Sequence, residues 1–184
     1  MALTESTMLP LGTKAPAYDL PDTISGKNVS LDSLTTGAGT VIMFICNHCP
    51  FVTHVQSELV RLARDYQPKG IQFVAISAND VANYPEDSPE NMARFARKNG
   101  FTFPYLYDET QEVAKAYGAA CTPDFYIFNQ GDECVYRGRL DDSRPGNNIP
   151  VTGKDLRGAL DALLAGNQIF QDQKPSIGCN IKWK

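Results

Sequence analysis

The chain has 184 residues, 42% of them hydrophobic and 21% charged, which suits one well-buried core and is too short for two ordinary domains. Its net charge of −4, with no cluster of Lys and Arg, argues against a nucleic acid or an anionic membrane as partner. Residues 1–6 contain no basic region, and no apolar run in the sequence approaches the length of a membrane span. We expect one cytoplasmic domain over 1–184, with tails at 1–11 and 170–184, and the oligomeric state stays open.

The first part of the chain predicts a hairpin, a buried strand and a long helix. Strand-like residues at both ends of 17–31 surround a glycine turn, which indicates a hairpin that extends the main sheet. The short apolar run 41–45 is typical of a strand buried on both faces. From Val52 to Tyr66 apolar residues recur at helical spacing, which predicts an amphipathic helix of about four turns that Pro68 and Gly70 stop.

The rest of the chain alternates between strand and helix patterns. Strands are predicted at 71–76, 103–107, 125–128 and 134–137, and helices at 90–98, 110–117 and 152–165. The polar, proline-containing segment 79–89 is expected to line a cleft. This alternation predicts an α/β protein in which a central mixed sheet carries helices on both faces.

Two cysteines, Cys46 and Cys49, stand three positions apart where the predicted buried strand gives way to the helix. Pro50 suits the first helical position because it lacks the N–H that would be unpaired there. Cys49 is then the N-cap, where free backbone N–H groups and the helix dipole stabilise a thiolate. Asn47 tolerates the tight turn that a disulfide between the two cysteines needs. Such a pair in a cytosolic α/β chain indicates redox chemistry or metal binding.

The five cysteines are an odd number, which argues against a structural disulfide framework in a reducing compartment. Cys121 is open between a third redox thiol and an ordinary core residue. Cys134, inside a strand pattern, is expected in the core. Cys179 lies in the predicted C-terminal tail, where it could resolve a sulfenic acid formed elsewhere or have no role.

The order of strand, Cys-x-x-Cys, helix and a later Thr122-Pro123 before a strand resembles the thioredoxin fold. In that fold the late proline is cis and faces the active cysteine. Phe44 stands five residues before Cys49, which is the spacing that this fold has between an aromatic residue and its nucleophile. Cys49-Pro50 also resembles the Cys-Pro of peroxiredoxins.

The likeness extends over most of the chain. The segments 15–20 and 29–31 resemble the opening of peroxiredoxins and of TlpA-type thiol reductases, and the tail 175–184 resembles that of peroxiredoxin-like proteins with a Cys-x-x-Cys pair. Over residues 12–165 the chain is therefore similar to AhpC/TSA-type peroxiredoxin-like proteins, with a thioredoxin-like fold and an N-terminal hairpin extension.

The resemblance implies a thiol-disulfide oxidoreductase or thiol-dependent peroxidase. Cys49 would be the nucleophile and Cys46 the resolving thiol, with Thr122 and cis-Pro123 beside them. Peroxiredoxins carry a hydroxyl at the position of Cys46 and use it with a later arginine to hold peroxide. The substrate would be a peroxide or a disulfide, and thioredoxin or glutathione would be the reductant. No bound cofactor is implied.

Accessory groups are expected near the pair. His48, or one of the arginines Arg139 and Arg144, could help to lower the pKa of the attacking thiol. The segment 139–146 that contains these arginines fits either a solvated, salt-bridged loop or a cover over the active site.

Two other classes of function compete with the redox interpretation. A copper or zinc protein could use Cys46, Cys49, His48 and His54 as ligands. A redox-silent adaptor could keep the fold for binding alone. The metal content of the purified protein, together with reversible oxidation of the cysteine pair, separates the three classes.

Overall fold

A computed structural model describes residues 3–34 and 37–184. The helices and strands of these residues are β1 (Leu3–Glu5), β2 (Asp19–Pro21), β3 (Asn28–Ser30), β4 (Gly39–Phe44), α1 (Pro50–Tyr66), β5 (Ile71–Ser77), α2 (Pro89–Asn99), β6 (Tyr105–Tyr107), α3 (Glu112–Ala116), β7 (Cys121–Thr122), β8 (Asp124–Asn129), β9 (Cys134–Gly138), α4 (Lys154–Ala165) and β10 (Ile177–Asn180). None of these helices is both long enough and apolar enough to cross a membrane.

The central sheet has five strands in the order β6-β5-β4-β8-β9. Strands β4, β5 and β6 run parallel, whereas β8 pairs antiparallel with β4 and β9 pairs antiparallel with β8. Helices α1, α2 and α4 pack on one face of this sheet, and α3 packs on the other together with the N-terminal segments. The predicted mixed sheet with helices on both faces is confirmed.

Strand β4 is buried along its whole length because each face of the sheet is covered. Val41 and Met43 contact the core under α1, while Ile42 and Phe44 point into the opposite core. Successive side chains of a strand point to opposite faces, and both faces are buried here, so residues 41–44 are all apolar. Burial of each such side chain contributes about 1.5–3 kcal/mol to the stability of the fold. Strand β4 is therefore held firmly in the sheet, and the chain leaves the sheet at a fixed point.

The predicted N-terminal hairpin is present as β2 and β3. Gly26 forms its turn with a φ of +74°, a conformation that favours glycine. The hairpin extends the edge of the main sheet through a bridge between Asp22 and Leu106, and the backbone N–H of Thr23 donates to Tyr105 at 3.0 Å.

The two predicted tails, 1–11 and 170–184, contain strands, so that prediction needs correction. β1 pairs with β10, and β10 pairs with the short strand β7, in a separate antiparallel sheet. A Cβ on Gly178 would overlap the carbonyl oxygen of Thr122, so a glycine is required where β10 crosses β7. The strands have three, four and two residues, too short for a period-2 pattern to be recognised.

Candidate active site

The site begins where the chain leaves β4. The N–H of Ile45 still donates to Ile76 at 3.0 Å, and α1 starts five residues later at Pro50. Cys49 has the extended backbone of an N-cap, and its carbonyl accepts the N–H groups of Val52 and Thr53, each at 3.0 Å. The predicted N-cap is therefore confirmed. The Cys49 sulfur makes no capping hydrogen bond, so the first-turn N–H groups retain their positive electrostatic field.

Cys49 is bonded to Cys179 in a disulfide whose Cα atoms are 6.3 Å apart. The spacing of the motif predicts Cys46 as the partner of Cys49, whereas in the structure Cys46 is a free thiol. The reason lies in β10, which places Cys179 directly opposite Thr122. The carbonyl of Thr122 lies 3.5 Å from the Cys49 sulfur, so this pairing brings the two sulfurs together. The resolving role of Cys46 stays a prediction.

Cys46 is buried beside the disulfide. Its sulfur lies 3.5 Å from the hydroxyl of Thr122 and accepts the backbone N–H groups of Cys49 and His48. Burial raises the pKa of the Cys46 thiol to about 11, with a further contribution from the Asp87 carboxylate, and these hydrogen bonds only partly oppose the shift. Cys46 is thus a protonated thiol at neutral pH and a poorer nucleophile than a cysteine at a helix N-terminus.

Thr122 lies against both cysteines of the motif, and Pro123 follows it directly. The peptide bond between them is cis, as the resemblance implied. The hydroxyl of Thr122 contacts Cys46 and its carbonyl contacts Cys49, so one residue on β7 spans the pair. The structure thus brings together four of the predicted site residues.

His48 pairs with a carboxylate that the sequence analysis did not single out. Its Nδ1 lies 2.6 Å from Oδ2 of Asp87, although the ring N–H is not aligned for a hydrogen bond. Asp87 is fully buried and accepts the backbone N–H of Asn47 and the side-chain amide of Asn79, both at 2.8 Å. The sequence feature that could have indicated this carboxylate is the polar segment 79–89, since both Asn79 and Asp87 belong to it.

The four ligands of the metal alternative do not meet in the structure. His54 is exposed on α1, and its Nε2 lies 2.7 Å from the hydroxyl of Ser143. Cys49 is engaged in the disulfide. In the described part of the chain, the group of potential ligands that comes together is instead Cys46, His48 and Asp87, whose donor atoms lie within 4.8 Å of one another.

A small pocket lies beside Pro123. The segment 139–146 forms one wall, Phe51 and Val55 of α1 form another, and the residues preceding β10 complete it. Arg139 is held by Asp155 at 2.6 Å, whereas the side chain of Arg144 is exposed. The segment that contains both predicted arginines therefore adjoins the cis-proline. A role of either arginine in lowering the pKa of the attacking thiol stays a prediction.

A second buried cluster lies next to the cis-proline. The Cys121 sulfur is 3.8 Å from the carbonyl of Pro123, and burial raises the pKa of this thiol. Burial also raises the pKa of the Asp124 carboxyl to about 7, although Ser6 and Tyr126 donate hydrogen bonds to it at 2.7 and 3.1 Å. Asp124 could not be singled out from the sequence because its raised pKa comes from burial in the folded protein. The third-thiol role of Cys121 stays a prediction, and Cys134 is buried in the core as expected.

Comparison with known sequences relates the chain to thiol enzymes. The model of the AhpC/TSA family matches residues 11–137. A protein of Mycobacterium tuberculosis strain CDC 1551 / Oshkosh that is named as a peroxiredoxin is 34% identical over 117 residues, which are 64% of this chain and 69% of the relative. The thiol-disulfide oxidoreductase ResA of Halalkalibacterium halodurans is 27% identical over 125 residues, 67% of this chain and 65% of the relative.

Comparison with solved structures relates the fold to thioredoxins. An uncharacterized conserved protein from Geobacillus kaustophilus superposes with a TM-score of 0.99 at 65% identity, over 100% of this chain and 97% of that one. A protein of Neisseria meningitidis described as a thioredoxin superposes with a TM-score of 0.64 at 25% identity, over 83% and 91% of the two chains. The predicted thioredoxin-like fold is confirmed.

Proposed function

This chain belongs to the AhpC/TSA family and is a thiol-dependent oxidoreductase, and on that premise we propose that Cys49 is the thiol that attacks the substrate. One observation carries the proposal: Cys49 is the cysteine that both caps α1 and forms the disulfide. A helix N-terminus stabilises a thiolate by about 0.3–1 kcal/mol, and by up to about 2 kcal/mol in a partly buried geometry. Cys46 lies outside the helix, and its pKa is raised to about 11, which favours Cys49 as the attacking thiol.

With a peroxide as substrate, the Cys49 thiolate attacks the distal oxygen, and the O–O bond breaks to release an alcohol or water. Cys49 becomes a sulfenic acid. The thiol of Cys179 then attacks the Cys49 sulfur, water leaves, and the product is the Cys49–Cys179 disulfide that the structure contains.

With a disulfide as substrate, the same thiolate attacks one sulfur and forms a mixed disulfide while the other sulfur leaves as a thiolate. Cys179 next displaces the remaining substrate thiol from Cys49, which gives the same intramolecular disulfide. Cys46 remains an alternative resolving thiol, since its sulfur and that of Cys49 both lie 3.5 Å from atoms of Thr122.

Reduction by an external dithiol of the thioredoxin or glutathione class completes the proposed cycle. Cys49 and Cys179 are at most 1% exposed, so the reductant needs β10 to move before it can reach either sulfur. The reducing cytoplasm is part of this proposal, because disulfides in that compartment are usually transient and catalytic.

The test measures consumption of hydrogen peroxide and of a small disulfide in the presence of excess dithiol. Wild type is compared with Cys49→Ser, Cys46→Ser and Cys179→Ala, and Cys134→Ser serves as the matched control because Cys134 is a buried cysteine of β9, in the core. We expect Cys49→Ser to lose roughly 100-fold or more of the turnover and Cys134→Ser to keep it. Full turnover by Cys49→Ser would overturn the proposal.

The same variants assign the resolving thiol and the preferred substrate. Mass spectrometry after one equivalent of oxidant is expected to find Cys49–Cys179 in wild type and a sulfenic acid or mixed disulfide on Cys49 in Cys179→Ala. A Cys46–Cys49 disulfide in wild type would instead support the predicted role of Cys46. The substrate that is consumed faster distinguishes a peroxidase from a disulfide reductase.

A further inference from the structure

We propose that the reduced protein binds a zinc ion through Cys46, His48 and Asp87, with Cys49 as the fourth ligand. This site goes beyond the proposed function, since it does not depend on which substrate the thiols attack. It differs from the ligand set expected from sequence in that Asp87 takes the place of His54.

The donor atoms already lie close together. The sulfur of Cys46, a ring nitrogen of His48 and a carboxylate oxygen of Asp87 are within 4.8 Å of one another. Ligands of a tetrahedral zinc ion, at about 2.0–2.3 Å from the metal, are separated by roughly 3.3–3.8 Å. Small side-chain shifts therefore convert the cluster into a zinc site. The distance between Nδ1 of His48 and Oδ2 of Asp87 is 2.6 Å, and binding of zinc increases it by less than about 1.5 Å. No aligned hydrogen bond is lost in this step.

The ligands are held in place by neighbours that do not contact the ion. Asp87 accepts hydrogen bonds from Asn47 and Asn79, each at 2.8 Å. The His48 ring stacks on Tyr84 with an interplanar angle of 6° and a centroid distance of 5.9 Å. Contacts of this kind orient carboxylate and imidazole ligands in metal sites and reduce the cost of assembling them.

The charges at the cluster favour a divalent cation. Asp87 is 0% exposed, and His48 is its one ion-pair partner among the described residues. Zinc would neutralise this carboxylate together with the Cys46 thiolate that forms on binding. The combination of sulfur, nitrogen and oxygen donors suits zinc, whereas a carboxylate is a poor ligand for copper(I).

Cys49 completes the set only after the disulfide is reduced. The Cys49 sulfur lies 3.5 Å from the carbonyl of Thr122 and the Cys46 sulfur lies 3.5 Å from its hydroxyl, so both sulfurs contact one residue. In the oxidised protein Cys49 is bonded to Cys179, and three ligands remain. Affinity for zinc is therefore higher in the reduced form. His48, with 19% of its side chain exposed, forms the edge through which the ion enters.

The experiment titrates Co²⁺ into the full-length protein, reduced with a phosphine that binds the metal weakly, and then displaces it with Zn²⁺. We expect one equivalent to bind, with a thiolate-to-cobalt charge-transfer band and tetrahedral d–d bands. Cys46→Ser, His48→Gln and Asp87→Asn are each expected to weaken binding at least about 10-fold. His54→Gln and Cys134→Ser are the matched controls and should bind like wild type. Circular dichroism identifies any variant that fails to fold, and His48→Gln, at a partly exposed position, keeps the test decisive.

Three results would overturn the site: no saturable binding by reduced wild type, unchanged binding by both Cys46→Ser and His48→Gln, or loss of binding in His54→Gln. Equal affinity of the oxidised and reduced proteins would overturn Cys49 as the fourth ligand. Thiol turnover measured with a chelator present tests the proposed function separately from this site.

Discussion

The two cysteines of the disulfide are held by different kinds of structure. Cys49 caps a helix of 17 residues that follows the fully buried strand β4. Cys179 lies in β10, a strand of four residues between partners of three and two residues. Motion of Cys49 would disturb α1 and the strand β4, whereas motion of Cys179 breaks the short pairings of β10 with β1 and β7 and withdraws one buried side chain from the core. Because local unfolding starts where few contacts are lost, we expect the C-terminal segment to open while Cys49 stays in place.

The largest effect that tests this comparison is on the free energy of unfolding. The disulfide joins residues 130 positions apart, and in the chain-entropy model such a loop contributes about 5 kcal/mol to stability. Denaturant titration of wild type should show a loss of up to this size on reduction, and Cys179→Ala should show none.

Cys134→Ser is the control for this titration. The Cys134 sulfur lies 3.5 Å from the carbonyl of Tyr136, an acceptor that a serine hydroxyl can also use, and it takes no part in the disulfide. This variant should retain the full difference between oxidised and reduced protein. If reduction left the stability of wild type unchanged, the disulfide would not tie β10 to the core.

An intermediate effect concerns the pH dependence of the unfolding free energy, to which the buried carboxyl of Asp124 contributes. The pKa of Asp124 is about 7 in the folded protein against 3.8 for an ordinary aspartate, so the folded state binds the proton more tightly. The stability that this group contributes below about pH 4 is lost as the pH rises through about 7, a change on the order of a few kcal/mol. In Asp124→Asn this fall should be absent from the pH profile of the unfolding free energy.

Other carboxylates titrate in the same range, so the informative quantity is the difference between wild type and variant. Asp172→Asn is the matched control because the Asp172 side chain is 86% exposed beside Lys174. Its profile should follow that of wild type. Parallel profiles for wild type and Asp124→Asn would show that the Asp124 carboxyl titrates normally.

The smallest effect comes from Ser6, which ties the start of the chain to the C-terminal segment. Its hydroxyl donates to Asp124 at 2.7 Å and accepts the N–H of Ser176 at 2.8 Å. Ser6→Ala should cost about 1 kcal/mol and speed hydrogen exchange of the β10 amides several-fold, with little change in α1. Ser33→Ala, which removes a hydroxyl that donates to Ser30 in an exposed turn, should change neither. Equal acceleration in α1 and β10 would contradict the proposed local opening.

The junction of β4 and α1 could be predicted because its signals are local. A buried apolar run, a proline at the first helical position and a cysteine before it lie within ten residues, so neighbours in sequence suffice to place the cap. Helix α4 begins at Lys154 instead of the expected 152, and β6 begins at Tyr105 instead of 103. These shifts fall at element ends, where fraying weakens the periodic pattern.

The sequence by itself determined the alternating α/β order and the position of Cys49 at a helix N-terminus, because each depends on residues close together in the chain. It also determined the likeness to thiol enzymes, because that likeness is a matter of residue types in a given order and needs no knowledge of which segments touch. Only the tertiary structure decided that Cys179 bonds to Cys49, that Asp87 joins Cys46 and His48, and that Asp124 is buried deeply enough to raise its pKa. Such properties depend on which distant segments pack together and how much water they exclude, and no local spacing of residues encodes either quantity.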